Sequence, residues 1–441
     1  MKMKLSIRTT VIYILFVCFP LKTVSAQDST IVDSTWTLQK CIDYALKQNI
    51  QVRKSDLTNK SNMENTLQAR AQRFPSLSAS ARQNFSWTNS TDQNSTSYSL
   101  SAGATVFNGF RAENRIRQSV LDYQGGLFDA EALKETISLN ILNAYLQVLY
   151  AQEQVNNSEN QVKATQDQLA LADERLKLSI ISQSDYLQVK SELASEKLTL
   201  VNAQNQLEIA KVNLMQLMDL PVTKNFSIAD PNLENLINQK RNPVAQVVYD
   251  TALVIKPQIK SAALNKESAM LQEKIARAGY IPSLSLSASV GTSYNSLGGG
   301  SGYGAQLSDN LSPSVGLSLS IPIFQNRQTK TSIELAKIGI QNAELSEIDT
   351  KNQLRKSIEQ ACEDVISAET KYDASLESYD ATEESYQLST EKFKQGMINS
   401  VDYLIQKTNL IVAESNLLQS KYNLVFSYKI LDFYMGKPLT F

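Results

Sequence analysis

The chain has 441 residues, 20% of them charged, a formal charge of −1 and no histidine. The missing imidazole removes Ser-His and Cys-His nucleophile pairs, histidine-ligated metals and the usual general base. A mildly acidic chain without a basic patch is no partner for nucleic acid. There is also no GxxxxGK[ST] loop and no GxGxxG after a strand. The composition therefore reads as a protein that is not an enzyme and uses no cofactor or metal. A carboxylate-based hydrolase, the remaining catalytic class, has no supporting constellation.

The first residues set Lys2, Lys4 and Arg8 before the apolar run Val11 to Phe19, then Val24-Ser25-Ala26. That order predicts a secretory signal over 1–26, and the run is too short to span a bilayer as a helix. Val17 before Cys18 is a poor match to a lipidation site, so the exported chain is expected to carry no lipid. Cleavage removes four basic side chains and no acidic one, taking the formal charge from −1 to −5. Cys41 and Cys362 remain, far apart in helical patterns; free buried thiols fit better than a disulfide.

Residues 27–220 read as one unit. A helix is predicted from Trp36 to Ala71, with Leu38, Cys41, Ile42, Ala45 and Leu46 on one face. Phe74-Pro75 stops it, and the period changes to two. In the hairpin 75–107, Leu77, Ala79, Ala81, Phe85 and Trp87 alternate with serines and other polar residues. After the turn Thr88 to Ser95, Tyr98, Leu100, Ala102, Ala104 and Val106 do the same. A long helical hairpin follows, Arg111 to Leu178 and Asp185 to Met218, around a tip at 178–184; Gly125-Gly126 is a candidate bend in its first arm. At about 1.5 Å per residue that arm extends on the order of 100 Å, far more than a membrane.

A linker with Pro221, Pro231 and Pro243 occupies 221–245, and the pattern then recurs over 246–441. Tyr280-Ile-Pro-Ser-Leu matches Arg73-Phe-Pro-Ser-Leu, and a second strand hairpin is predicted at 282–324. Gly298 to Gly304 in it reads as a flexible outer loop with no helix following. The second helical hairpin, 328–395 and 402–435, turns at a tip at 395–401. There, Gly396-Met-Ile-Asn-Ser-Val-Asp-Tyr-Leu repeats Ser179-Ile-Ile-Ser-Gln-Ser-Asp-Tyr-Leu 217 positions on. Leu193, Leu200, Leu207 and Leu214, and their matches Leu410, Leu417, Leu424 and Leu431, recur every seven residues, a coiled-coil pattern. The fold class is thus mainly α with a membrane β-barrel and a two-fold internal repeat. Four amphipathic strands cannot close a barrel in lipid, so several chains must share one; closed symmetry suggests three chains and twelve strands.

This order of helix, strand hairpin and long helical hairpin, twice over, with the doubled Pro-Ser-Leu transitions and tips, resembles the TolC family of outer-membrane ducts across 36–438. The resemblance implies a homotrimer, with a twelve-stranded barrel in outer-membrane lipid above a coiled-coil α-barrel in the periplasm. It implies a passive exit duct of a tripartite efflux or type I secretion system. Such a duct docks on a periplasmic adaptor (membrane fusion) protein and, through it, serves an inner-membrane transporter. Its adaptor-binding tips would be Ser179, Ile180, Ile181 and Ser182, and Gly396, Met397, Ile398 and Asn399. Its periplasmic gate would include Asp402 and Asp185. The residues themselves leave alternatives open. The apolar tip residues could close their own turns, and both aspartates sit where an acid caps a helix. Ser179 replaces glycine, so a left-handed turn there would need another backbone solution. Phe393 and Ile398 stand where the best-known member has a tyrosine and an arginine holding the mouth shut. Ile405 falls where a second acidic ring would lie. The rival reading is a periplasmic coiled-coil scaffold that conducts nothing.

Overall fold

A computed structural model describes residues 35–87, 92–223, 225–298 and 300–441. The signal sequence and the centre of the first strand turn lie outside the described residues. Helices α1 (Leu38–Gln48) and α2 (Ile50–Ala71) lead into strands β1 (Ser76–Trp87) and β2 (Asp92–Phe107). The first helical hairpin is α3 (Arg111–Lys177) with α4 (Gln183–Leu217). The linker holds the short α5 (Glu234–Ile237), and α6 (Ala245–Ile255) and α7 (Pro257–Arg277) open the second half. Strand β3 (Ser283–Asn295), helix α8 (Tyr303–Asp309) and strand β4 (Ser312–Ser320) follow. The second hairpin is α9 (Gln328–Lys394) with α10 (Ser400–Tyr434). The arms α3 and α9 are each 67 residues long, and α4 and α10 each 35.

Three details depart from the sequence expectation. The helix expected over Trp36–Ala71 is two helices, because Asn49 leaves helical geometry. Its side chain accepts from the Gln51 and Val52 amides to cap α2, and donates to the Leu217 carbonyl at 2.9 Å. Gly125-Gly126 does not break α3. The pair gives room instead: a Cβ on Gly126 would lie 2.6 Å from Asn59 Oδ1 of α2. The loop after Gly298 does contain a helix, α8, whose Gln306 folds back on the loop and accepts from the Asn295 amide.

The four strands form one antiparallel sheet in the order β1-β2-β3-β4. Ala79 lies opposite Leu100, Leu100 opposite Val290, and Leu286 opposite Leu317. Directly opposed residues share a face, so one side of the sheet is apolar and the other is serine. The serine side is bonded across the strands, Ser78 to Ser101 at 2.9 Å and Ser80 to Ser99 at 2.8 Å. On the apolar side Val315 is 78% and Leu77 69% exposed in the single chain. Among the described residues, no strand lies beside the outer edges of β1 and β4.

The apolar core lies midway along α3 and α9 and toward the C-terminal ends of α4 and α10, where Phe226, Leu233 and Ile237 of the linker join it. Ile141, Leu142 and Tyr145 of α3 meet Leu214 and Met215 of α4, Ile358 and Val365 of α9, and Val425 and Tyr428 of α10. The Tyr145 hydroxyl donates to the Ala229 carbonyl at 2.6 Å, and Trp36 pairs with Ile228 beside it. Cys41 and Cys362 are free and buried there, and burial pushes the Cys41 thiol up to about 12, so it stays protonated. Among the described residues no helix is long and apolar enough to cross a membrane.

Apart from Gly300 in the β3–β4 loop, the positive-φ positions of the described residues follow the 217-residue spacing of the sequence. Gly109 and Phe110 before α3 answer Asn326 and Arg327 before α9. Ser179 and Asp219 after α3 and α4 answer Gly396 and Gly436 after α9 and α10.

Candidate functional site

Each helical hairpin turns in the same way. The Ser179 amide bonds to the Leu176 carbonyl and the Ile180 amide to Arg175, both at 2.9 Å. The Gly396 amide bonds to Phe393 and the Met397 amide to Lys392, at 3.1 and 2.8 Å. These are Schellman closures, which need a left-handed residue at the centre. Gly396 supplies it with φ 72°, and Ser179 adopts it as well, with φ 57°. The serine turn therefore has no separate backbone solution. It uses the glycine geometry at a steric cost of about 1 kcal/mol.

The helices then restart under different caps. Ser182 accepts from the Asp185 amide at 3.1 Å, and Asp185 Oδ2 accepts from the Ser182 amide and hydroxyl, a closed capping box. Asp185 Oδ1 accepts from Ser400 Oγ of the other hairpin at 2.8 Å. The Ser182 and Ser400 hydroxyls hold the Asp185 carboxyl below the usual carboxylate range. Asn399 caps α10 by accepting from the Asp402 amide at 2.8 Å. Asp402 is exposed, and its carboxylate takes no protein partner among the described residues. The two aspartates thus occupy equivalent positions in different states: Asp185 is committed to structure and Asp402 is free.

A cavity of about 560 Å³ separates the two turns. Ile180, Ile181, Ile398, Phe393, Ser182 and Asn399 are among the residues lining it. Ile180 is 65% and Met397 69% exposed, so the tips present apolar side chains to solvent rather than closing only on themselves. Arg175 reaches across to the Lys394 carbonyl at 3.3 Å.

Behind the tips are groups with no role in the sequence reading. Tyr403 is buried, stacks on Phe393 with centroids 4.8 Å apart, and bonds through its hydroxyl to Tyr386 at 2.7 Å and to Gln168 of α3. Burial, followed by the Tyr386 bond, pushes its phenol above the ordinary range, so it stays protonated. Further up, buried Lys407 of α10 bonds to Glu196 of α4 at 2.5 Å and to Thr165 of α3. Among the described residues Glu196 Oε2 has no hydrogen-bond partner. The sequence carried one signal for this pair, a lysine on the inner stripe of a coiled coil four residues after Tyr403. Its partner is set by tertiary packing alone. No cluster of metal-ligating side chains occurs among the described residues.

A four-stranded sheet with one exposed apolar face, set above two long helical hairpins with paired tips, defines a duct-forming outer-membrane protein. The comparisons with known proteins make the class specific. Residues 41–219 and 248–437 match the family described as outer membrane efflux protein, and the chain belongs to that family. It is 25% identical over 354 residues to the outer membrane protein TolC of Escherichia coli K12, spanning 77% of this chain and 69% of that one. The TolC of Salmonella enteritidis is 23% identical over 350 residues, spanning 77% and 68%. Among solved structures, the CmeC outer membrane channel of Campylobacter jejuni superposes with a TM-score of 0.76 at 19% identity, covering 90% of this chain and 85% of that one. The open MtrE outer membrane channel of Neisseria gonorrhoeae gives 0.74 at 21% identity, covering 92% and 90%. These structural likenesses establish the fold.

Proposed function

We propose how this outer-membrane exit duct of tripartite efflux, whose helices extend into the periplasm, is assembled and opened. Three copies close one barrel, with β4 of each chain pairing to β1 of the next. One observation carries this: an apolar-faced sheet with two open edges. Unpaired backbone groups cost several kcal/mol each in hydrocarbon, so the edges must meet partner strands. The serine face then lines a water-filled lumen. The equal hairpins and the positive-φ pairs 217 residues apart support a two-fold internal repeat. On that reading, 27–220 and 246–441 are its units, joined by the linker 221–245. The protein conducts passively and catalyses nothing.

The tips are the docking points for a periplasmic adaptor. Ser179 to Ser182 and Gly396 to Asn399 flank an open cavity with exposed isoleucine and methionine, a surface suited to an apolar helical hairpin. Asp402, free and exposed at the start of α10, serves as the acidic gate of the mouth; Asp185 shares the position but holds the hairpins together. Opening requires the second hairpin to move from the first. That breaks the Ser400–Asp185, Tyr403–Gln168 and Lys407–Glu196 contacts.

Replacing Gly396 and Met397 with bulky charged residues tests the docking. Export should be lost while the trimer survives in the outer membrane. Unchanged export would contradict the assignment.

A further inference from the structure

The β3–β4 connection is longer than its counterpart between β1 and β2 and carries α8. Strand pairing decides on which side of the barrel wall α8 lies. Thr292 faces Tyr98 across the sheet, and Val290 faces Leu100. Alternation therefore puts Tyr98, Thr292 and Tyr294 on the same side as Leu100, Val290, Leu286 and Leu317. This is the apolar side, opposite the serine ladders.

Among the described residues, α8 meets Tyr98, Thr292 and Tyr294 of that side. Thr292 Oγ1 donates to the Leu307 carbonyl at 2.6 Å. The Tyr98 and Tyr303 hydroxyls are 3.1 Å apart, and the Tyr303 ring lies 4.8 Å from that of Tyr294. Buried Gln306 satisfies the Gly298 and Ser301 carbonyls and the Asn295 amide, and Asn310 donates to the Ser293 carbonyl. A helix clasped to the apolar face at the strand ends cannot stand over the lumen. At the same end of that face Phe85 and Trp87 stack on β1, 6.2 Å apart. Rings with one polar end collect where hydrocarbon gives way to headgroups.

We infer that α8 is a membrane-interface element: it rests outside the barrel wall among the lipid headgroups of the outer leaflet and leaves the outer mouth of the lumen uncovered. The occupant is lipid because the surface is continuous with the apolar wall, and because Gln306 already satisfies the Gly298 and Ser301 carbonyls of the loop. The inference rests on the barrel reading above.

The test is site-directed fluorescence on the trimer in phosphatidylcholine vesicles, in a Cys41→Ala, Cys362→Ala background. Single Ala305→Cys, Leu317→Cys and Ser287→Cys variants carry the same fluorophore. Lipids with a nitroxide on the headgroup should quench the Ala305→Cys label about twofold, as expected for an interfacial site. Lipids with a nitroxide deep in the acyl chain should quench the Leu317→Cys label, and neither should quench Ser287→Cys. A water-soluble thiol reagent should lower conductance only at Ser287→Cys. If the Ala305→Cys label escapes both lipids while Leu317→Cys is quenched, α8 lies off the membrane and the inference fails with the barrel intact. If Leu317→Cys escapes as well, the barrel reading itself fails.

Discussion

The two hairpin tips share a backbone and differ in chemistry. Both close by Schellman bonds around a left-handed residue, yet one uses Ser179 and the other Gly396. Both restart under a cap three residues before an equivalent Asp-Tyr-Leu, yet Asp185 is tied to Ser182 and Ser400 while Asp402 is free. Tyr403 is buried against Phe393, whereas its counterpart Tyr186 is half-exposed. Lys407 has a buried acid, and the first-half match of that interaction is absent because Ala413 stands where Glu196 does. The duplicated frame has thus diverged: the acid is bonded in the first tip, and in the second it is free while the tyrosine behind it is buried.

The largest effect should come from the buried pair. Lys407→Ala strands Glu196 without its cation and should cost about 3–5 kcal/mol in chemical unfolding of the protein. Joint replacement by Lys407→Met and Glu196→Leu should recover most of that loss, since apolar side chains of similar size fill the same space. A cost below about 1 kcal/mol for Lys407→Ala would mean that water reaches the pair and that the two hairpins are not tied there.

Asp185→Ala should cost about 1–2 kcal/mol through loss of the capping box and the Ser400 bond, whereas Asp402→Ala should leave unfolding within about 0.5 kcal/mol of the parent. Conductance should invert that order, with cation preference falling for Asp402→Ala and little changed for Asp185→Ala. Equal effects of the two variants in both assays would erase the proposed division of labour.

The same contrast gives a pH dependence. The folded carboxyl of Asp185 is depressed relative to the unfolded chain. Its stabilisation is therefore present above the unfolded value, about 3.9, and is lost as pH falls through the folded one. Protection of the Ser182 and Asp185 amides, relative to their intrinsic exchange rates, should fall only in strongly acidic buffer. A loss of protection already between pH 5 and 7 would rule out this linkage.

Smallest is the turn itself. Ser179→Gly should stabilise the first tip by about 0.5–1 kcal/mol, and Gly396→Ser should destabilise the second by a similar amount. The same sign for both would show that the turns are not equivalent.

The long arms and the strands were legible because each obeys one period over many residues, and the duplicated Pro-Ser-Leu and Asp-Tyr-Leu frames fixed where they change. What escaped depended on neighbours distant in sequence. Asn49 breaks a helix because Leu217 offers its carbonyl, and Gly125-Gly126 stays helical because α2 packs against it. The helix in the glycine-rich loop exists because Gln306 finds three backbone partners. At the tips the turns and the acids were visible. The ties between hairpins were not, because Ser400, Gln168 and Glu196 carry no local signature.

Electron cryomicroscopy of the protein extracted in detergent from isolated outer membranes tests the central claim most directly. The account predicts a three-fold hollow cylinder, in which twelve strands close a barrel by pairing β4 of each chain with β1 of the next, above a long helical tube. Elongated monomers or dimers without a lumen, in a soluble fraction, would contradict it and establish the scaffold reading instead.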